Sequence, residues 1–546
     1  MTRTQTWLAL VVLLAISFLG VARDLWTPDE PREAEIAREM WLAPTIVPRL
    51  NGERFIEKPP LYYWTVAAAY SLLGGPSPAA ARAVSAVAAF GTLALVFFWG
   101  GRMFSPVVGL AAAVALATSA QFMWTSHWIV MDSLLMLFTT AAFWAAHELV
   151  LGGAGRNVLL AFYAAVLAAL WTKGPIGPAL VGVGLLAYAG VRRSFAALAP
   201  LRPFAGAAFV LLMTAGVAAA IASDSGWDAV REWLWVNQVE RVTNPVTTGH
   251  DQPLLYYLWT LPVAVFPWWL PFGALFRPRT WTGEKTPWHD SKLLLGAAAL
   301  GMVLLLSVPA TKRGLYLMPV LPPLMLLLAA VAAEWWARSD VQRLRGAVWL
   351  GQAALVALFA AVPAGAAVAY LRIADARSVS FLMAVALLLG ALVTFSLRGE
   401  RATALATLAT CAIASAVGLL TVAAPLAAPR KDMSPFVAWV GAQVPRTEPL
   451  YVTGEIDETL DGIVPFVTGR HAEAMAAPEI ETKRPKFVLV QGKSGAQNAE
   501  SLAAPYRLLG SSAVGTDRYL ALWSREDEPR AGAPAVPREA AAPSGQ

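Results

Sequence analysis

A sparse set of charged residues stands out against an apolar background: Asp29 and Glu30, Glu57 and Lys58, Asp132, Lys173, His250, and Lys312 with Arg313. Each lies at or just outside an apolar run, where a charge is costly unless it is partnered or functional. Carboxylates take up protons or orient an acceptor. Lysine and arginine bind phosphate and stabilise negative charge on a leaving group. Acids and cations drawn from five separate loops suit an anionic substrate whose tail lies in a membrane.

Each residue also has a plainer reading. Asp29 precedes Pro31 and an amphipathic stretch, where a helix cap is expected. Glu57-Lys58-Pro59-Pro60 also reads as a solvated turn, because the prolines favour extended chain. Asp132 could cap the apolar run that it opens, and Lys173 could anchor at the headgroups by snorkelling. A lone histidine such as His250 is more often structural than a ligand. Tyr62, Tyr63, Trp64, Tyr256, Tyr257, Trp268 and Trp269 fit an interfacial aromatic belt.

The elements that must position these residues are written in the composition. Of 546 residues, 57% are hydrophobic and only 14% charged, against roughly 25% charged in a soluble domain. Mean hydropathy is +0.55. Runs of about 17–25 apolar residues cross a bilayer core. Thirteen such spans are expected, near 7–23, 79–99, 107–124, 131–150, 157–172, 174–190, 204–222, 256–276, 293–308, 315–334, 346–370, 380–397 and 404–424. The first resembles a cleavable signal peptide in its flanks, but retention is expected because the segment after it looks functional and close to the membrane. Cys411 lies inside an apolar run and, being the single cysteine, forms no intrachain disulfide.

The net charge of +6 does not point to nucleic acid, because many arginines flank apolar runs. With the N-terminus in the cytoplasm, the inner segments hold fifteen basic residues and the short outer loops only five. That bias orients the chain N-terminus in and C-terminus out. All the charged candidates then fall on the outer face. Residues 24–78 and 223–255 become outer loops of a transmembrane domain spanning 1–424. In the first loop Ala34, Ile36, Ala37, Met40 and Trp41 give a helix one apolar face, expected to lie along the interface. Residues 425–525 read as a small soluble α/β domain, with strand-like runs at 486–490 and 519–523. The Ala/Pro/Gly-rich tail 526–546 is expected to be disordered. No phosphate-binding glycine loop and no metal-finger spacing is present.

In this context the residues resemble a known family. Trp26-Thr27-Pro28-Asp29-Glu30-Pro31-Arg32, followed by Ala34-Glu35-Ile36-Ala37-Arg38-Glu39-Met40, is similar to the first-loop signature of the aminoarabinose transferases that modify lipid A. Phe55-Ile56-Glu57-Lys58-Pro59-Pro60-Leu61-Tyr62-Tyr63-Trp64 resembles their second motif. The resemblance continues through Asp132, Trp171-Thr172-Lys173-Gly174, Trp235-Val236-Asn237-Gln238-Val239-Glu240-Arg241 and His250, Pro253, Tyr256-Tyr257. It ends at Lys312-Arg313-Gly314-Leu315-Tyr316-Leu317-Met318-Pro319, so it covers most of 24–335.

The resemblance implies the GT-C fold of polytopic lipid-carrier glycosyltransferases, a group that includes protein O-mannosyltransferases. It implies an undecaprenyl-phosphate sugar donor, lipid A or another envelope glycolipid as acceptor, and a periplasmic active site in the bacterial inner membrane. Asp29 would orient or deprotonate the acceptor, with Glu30 and Asp132 as further acids. Lys58 would bind the donor phosphate with Lys312, Arg313 and Tyr316 near it, and Tyr62, Lys173 and Arg241 complete the binding set. Glu57 and His250 match positions for a divalent cation, which is not expected to be essential. Two departures stand out: Glu33 replaces a tyrosine, and Leu254-Leu255 replaces an aromatic pair.

A transporter or flippase is the rival from another class. Transporters often show internal repeats and place charges near the bilayer midplane. Here the 24–64 pattern does not recur, and the charges gather at one face. A scaffold without chemistry would tolerate Asp29→Asn and Lys58→Ala.

Overall fold

A computed structural model of the chain describes residues 1–240, 251–266, 268, 275–276, 280–281, 287–338, 431–454, 456–493, 502, 505–514 and 518–525. The spans expected at 346–370, 380–397 and 404–424, together with Cys411 and the tail 526–546, lie outside these residues. The chain is mostly helical with a small C-terminal sheet. It divides into two compact units. The described parts of Met1–Gly20, Glu57–Tyr62 and Ala83–Ala423 form one; those of Val21–Ile56, Tyr63–Arg82 and Ala424–Gln546 form the other.

The first unit holds most of the apolar helices. Among the described residues, helices Pro78–Met103, Asp132–Val150, Pro203–Ser225, His289–Ser307 and the Gly314–Glu334 segment are long and apolar enough to cross a membrane. Helices Arg3–Phe18, Pro106–Ala117, Ile176–Arg192 and Tyr256–Val265 are apolar but shorter. Local chemistry sets the boundaries. Ser105 accepts the Val108 N–H, and Pro106 opens the helix that follows, where its missing N–H costs nothing. The run expected as one span at 107–124 is two helices, Pro106–Ala117 and Ala120–Thr125. At the break, Thr118 and Ser119 turn their hydroxyls back onto the Val114 and Leu116 carbonyls, an alternative to helix continuation.

Small residues let these helices pack backbone to backbone. A methyl added at Gly301 would lie 2.9 Å from the Val183 carbonyl oxygen and 3.3 Å from Gly184 Cα. Helices Ile176–Arg192 and His289–Ser307 therefore touch directly, as small residues permit in membranes. Trp99, Phe143, Leu295, Met302 and Leu321 are buried in the core around them.

The second unit joins the first loop to the C-terminal domain. Strands β1 (Arg49–Leu50) and β2 (Glu53–Arg54) form a hairpin. A five-stranded sheet runs β4-β3-β5-β7-β6, with β3 (Leu450–Gly454), β4 (Ala472–Ala474), β5 (Phe487–Lys493), β6 (Tyr506–Val514) and β7 (Arg518–Arg525). β3 pairs in parallel with β4 and β5, while β7 is antiparallel to β5 and β6. Phe487, Val488, Leu489 and Val490 in β5 are all buried, which marks a strand covered on both faces.

The amphipathic stretch of the first loop is part of helix Asp29–Leu42. Its Ala34, Ile36, Ala37 and Met40 are buried in protein, not laid along an interface. The partner is helix Glu458–Thr468, where a methyl at Gly462 would lie 2.5 Å from the backbone of Pro31 and Arg32. The hairpin is tied to the same domain. Asn51, at φ 53° in the turn, donates to Ala472 O at 2.7 Å and to Asp461 Oδ1 at 3.2 Å. The Thr27 N–H donates to Lys431 O at 3.0 Å.

Candidate active site

In the second unit the acids of the first motif sit in the opening turn of helix Asp29–Leu42, where the helix dipole favours negative charge. The residue preceding the helix is Pro28, so Asp29 is its first residue and does not serve as the side-chain cap. Asp29 is 5% exposed and Glu30 fully buried.

The two acids have different surroundings. Glu30 accepts from Arg23 at 2.7 and 2.8 Å, from Arg82 at 3.1 Å through both Nε and Nη2, and from the Trp26 N–H at 2.8 Å. Arg82 is itself fully buried and also donates to the carbonyls of Val21, Arg23 and Asp24. Burial pushes the Glu30 carboxyl up, but the Arg82 and Arg23 guanidinium groups outweigh it and hold it below its ordinary value. Asp29, by contrast, meets Arg32 Nη2 at 3.3 Å. That guanidinium lies closer to Glu33 Oε1, at 2.7 Å, and pairs also with Glu458. Burial raises the Glu33 carboxyl, with Arg32 opposing and Asp29 adding to the rise.

In the first unit Asp132 opens helix Asp132–Val150 and Lys173 closes helix Arg156–Lys173. Lys173 Nζ donates to Asp132 Oδ1 at 2.5 Å and sits 4.7 Å from the centre of the Tyr316 ring. A cation over a ring face is held by the ring's quadrupole. Gly174, at φ 79°, ends the helix immediately after Lys173. Tyr257 donates to Arg313 O at 3.3 Å. Lys312, 3% exposed, donates to Gln252 O at 3.0 Å. Burial pulls its ammonium group below its ordinary value, with Asp251 opposing. Glu57 and Lys58 form an ion pair at 3.7 Å, both side chains partly exposed, and Tyr62 is fully buried.

The structure therefore brings together Asp132, Lys173 and Tyr316 in one unit, and Asp29 and Glu30 in the other. Lys58, Tyr62, Lys312 and Arg313 belong to the same unit as Asp132. Arg241 and His250 lie outside the described residues. Among the described residues no group of three or more His, Cys, Asp or Glu side chains could hold a metal ion. The motifs did not single out the roles of Arg23, Arg82 or Tyr257. Arg82 carried a signal, since an arginine inside an apolar span demands a partner.

Comparison with known proteins gives these geometries a context. Residues 2–222 match the family described as dolichyl-phosphate-mannose-protein mannosyltransferase. The chain is 30% identical over 358 residues to an undecaprenyl phosphate-alpha-4-amino-4-deoxy-L-arabinose arabinosyl transferase of Edwardsiella ictaluri, covering 63% of this chain and 61% of that one. It is 30% identical to the enzyme of the same name from Pectobacterium atrosepticum, covering 59% and 58%. The chain thus spans about three fifths of the length of the curated relatives it matches. The crystal structure of ArnT from Cupriavidus metallidurans bound to undecaprenyl phosphate superimposes with a TM-score of 0.72 at 18% identity, covering 95% of this chain and 98% of that one. The apo state of the same protein gives 0.65 at 19% identity, with the same coverage. The sequence is therefore similar to the aminoarabinose transferases, and the fold is that of the ArnT crystal structures.

Proposed function

We propose that the chain is an integral-membrane glycosyltransferase that moves an aminoarabinose-like sugar from undecaprenyl phosphate to lipid A or another envelope glycolipid. The similarity to named arabinosyl transferases over well over half of the chain supports this reading. In it, residues 1–424 form the transmembrane domain of about thirteen spans, with the N-terminus cytoplasmic and residues 425–525 periplasmic.

The chemistry assigns the roles. The bond between the anomeric carbon and the phosphate oxygen breaks, and undecaprenyl phosphate leaves with the electron pair. The sugar gains oxocarbenium character, as in glycoside hydrolysis. Lys58, Lys312 and Arg313 stabilise the charge growing on the phosphate, each well-placed donor contributing about 3–4 kcal/mol. Tyr62, Lys173, Arg241 and Tyr316 complete the binding surface. Asp29 orients the acceptor and takes its proton as the new bond forms, with Asp132 as a second acid. Glu30 supports Asp29 from the same helical turn. A divalent cation at Glu57 and His250 would bind phosphate oxygens.

The match to protein mannosyltransferases favours a second reading, with a protein hydroxyl as acceptor. One assay separates the two. The purified protein is given polyprenyl-phosphate sugars with either a lipid A precursor or a serine-rich peptide, and products are read by mass spectrometry. A glycolipid product that Asp29→Asn abolishes is expected. Sugar uptake into vesicles without any glycosylated product would instead mark a transporter.

A further inference from the structure

We propose that Lys431 is a positioning residue of the acid turn: its ammonium group keeps the Asp29 carboxylate ionised, the form that can take a proton from the acceptor. The inference rests on the transferase reading above. Lys431 lies far beyond the last motif of the sequence, at 312–319, and shares the second unit with the first loop. Backbone pairing fixes its place there. The Thr27 N–H donates to Lys431 O at 3.0 Å, and Trp26 and Asp432 form an antiparallel bridge. The side chain turns back along the same segment, with Nζ 3.5 Å from Thr27 O. Thr27 precedes Asp29 by two residues, so the ammonium group stands at the opening of helix Asp29–Leu42.

The surrounding charges give a further cation work to do. Asp29 is 5% exposed, and burial by itself favours the protonated, inert form of a carboxyl. The guanidinium groups nearby have other commitments. Arg23 and Arg82 both bond to Glu30. Arg32 reaches Asp29 at 3.3 Å but also serves Glu33, at 2.7 Å, and Glu458. Tyr63 faces Glu33 and Arg32 in the same group, while Asp432 lies toward Arg23 and Asp24. Asp432 Oδ1 accepts the Ser434 N–H at 2.8 Å. Lys431 acts on Asp29 through its charge, alongside the partners that this carboxylate already has. Burial and Arg23 pull the Lys431 ammonium group below its ordinary value, with Glu30 and Asp29 opposing them. That opposition is one attraction seen from the cation's side; seen from the acid's side, it favours the ionised carboxylate.

The test uses the full-length protein in detergent. Lys431→Met removes the charge and keeps the stem. The acid limb of kcat/KM is expected to move up by about one pH unit. That lowers kcat/KM about tenfold below the limb and leaves the plateau above it nearly unchanged. Lys431→Arg, which keeps a charge, is expected to hold the wild-type limb. A readout independent of turnover is carbodiimide labelling of Asp29 across pH, followed by peptide mass spectrometry. Its midpoint should rise in Lys431→Met and stay in place in Lys431→Arg. An unmoved midpoint in folded Lys431→Met overturns the proposal, as does a rate that falls equally at every pH. A raised KM for the acceptor with an unmoved limb overturns it too, and would mark Lys431 as an acceptor-binding group. Should Lys431→Met not fold, Lys431→Gln, whose amide can still donate to Thr27 O, is read in the same way. A wild-type protein that makes no product sinks the transferase reading, while the labelling midpoint still judges whether Lys431 acts on Asp29.

Discussion

Lys173 and Asp132, 41 residues apart, meet at 2.5 Å where the end of one apolar helix faces the start of another. Their side chains are 13% and 5% exposed. The pair replaces two plainer expectations, a snorkelling lysine and an isolated helix cap, with one contact.

Breaking such a pair leaves a buried charge without its partner, at a cost of about 3–5 kcal/mol. Asp132→Asn and Lys173→Met are each expected to lower the thermal midpoint. The double variant should recover much of that loss, since its two neutral side chains need no counter-charge. Transferase activity is expected to stay low in all three, because the proposed role needs the charges. Thermal unfolding in detergent and product formation, measured on the same preparations, check this.

Lys58 and Lys312 should respond differently. Lys58, partly exposed and 3.7 Å from Glu57, is expected to act mainly on the donor. Lys58→Ala should lower kcat by about 10²–10³ with little effect on stability. Lys312 is buried against backbone carbonyls. Lys312→Met should therefore reduce both activity and thermal stability, which steady-state kinetics and a melting curve resolve together.

The Glu30–Arg82 cluster predicts a stability phenotype. Arg82→Met removes one of the two guanidinium groups that hold the buried Glu30 carboxylate and should destabilise the unit by about 3 kcal/mol or more. The Glu30 carboxyl is held below its unfolded value of 4.5. Its contribution is therefore full above pH 4.5 and disappears as the pH falls through the depressed folded value. Unfolding of the wild type followed from pH 7 downward should show this loss; Glu30→Gln should lack it.

Asp461 has the opposite sign. Burial raises its carboxyl from 3.8 to about 6, with Asn51 opposing and Asp457, Glu53 and Glu458 adding to the rise. The folded state then binds more protons than the unfolded one between these values, so stability falls as pH rises through 6. Asp461→Asn keeps an acceptor for Asn51 and should gain about 1–2 kcal/mol at pH 7.5, after allowance for partial exposure. At pH 4 the gain should vanish, which denaturant titration at the two pH values decides.

The sequence made some of this legible. Apolar runs located helices such as Pro78–Met103, Asp132–Val150 and Pro203–Ser225 closely, because lipid imposes a length that any window detects. Short apolar runs holding valine or aromatic residues located β5 and β7. The break at Thr118-Ser119 was missed, because hydroxyl-to-carbonyl bonds interrupt a helix without changing its hydropathy. The acids of the first motif were visible as residue types, but not their surroundings. Glu30 meets Arg82 across 52 positions and Arg32 meets Glu458 across 426, and no local pattern reports a pairing at such range. The burial of Ile36 against a later helix was hidden for the same reason.

The pairing of Arg32 with Glu458 also sets an order of events during synthesis. The acidic turn at 29–33 leaves the ribosome long before residues 431–468, which cover it. At roughly 5–20 residues per second the interval is about 20–90 s. Throughout that interval the turn lacks Glu458, Thr459 and the Gly462 backbone, which meet it in the finished molecule. The acids at 29–33 are thus completed by residues synthesised much later, and a nascent chain stopped before residue 431 would carry them without that cover.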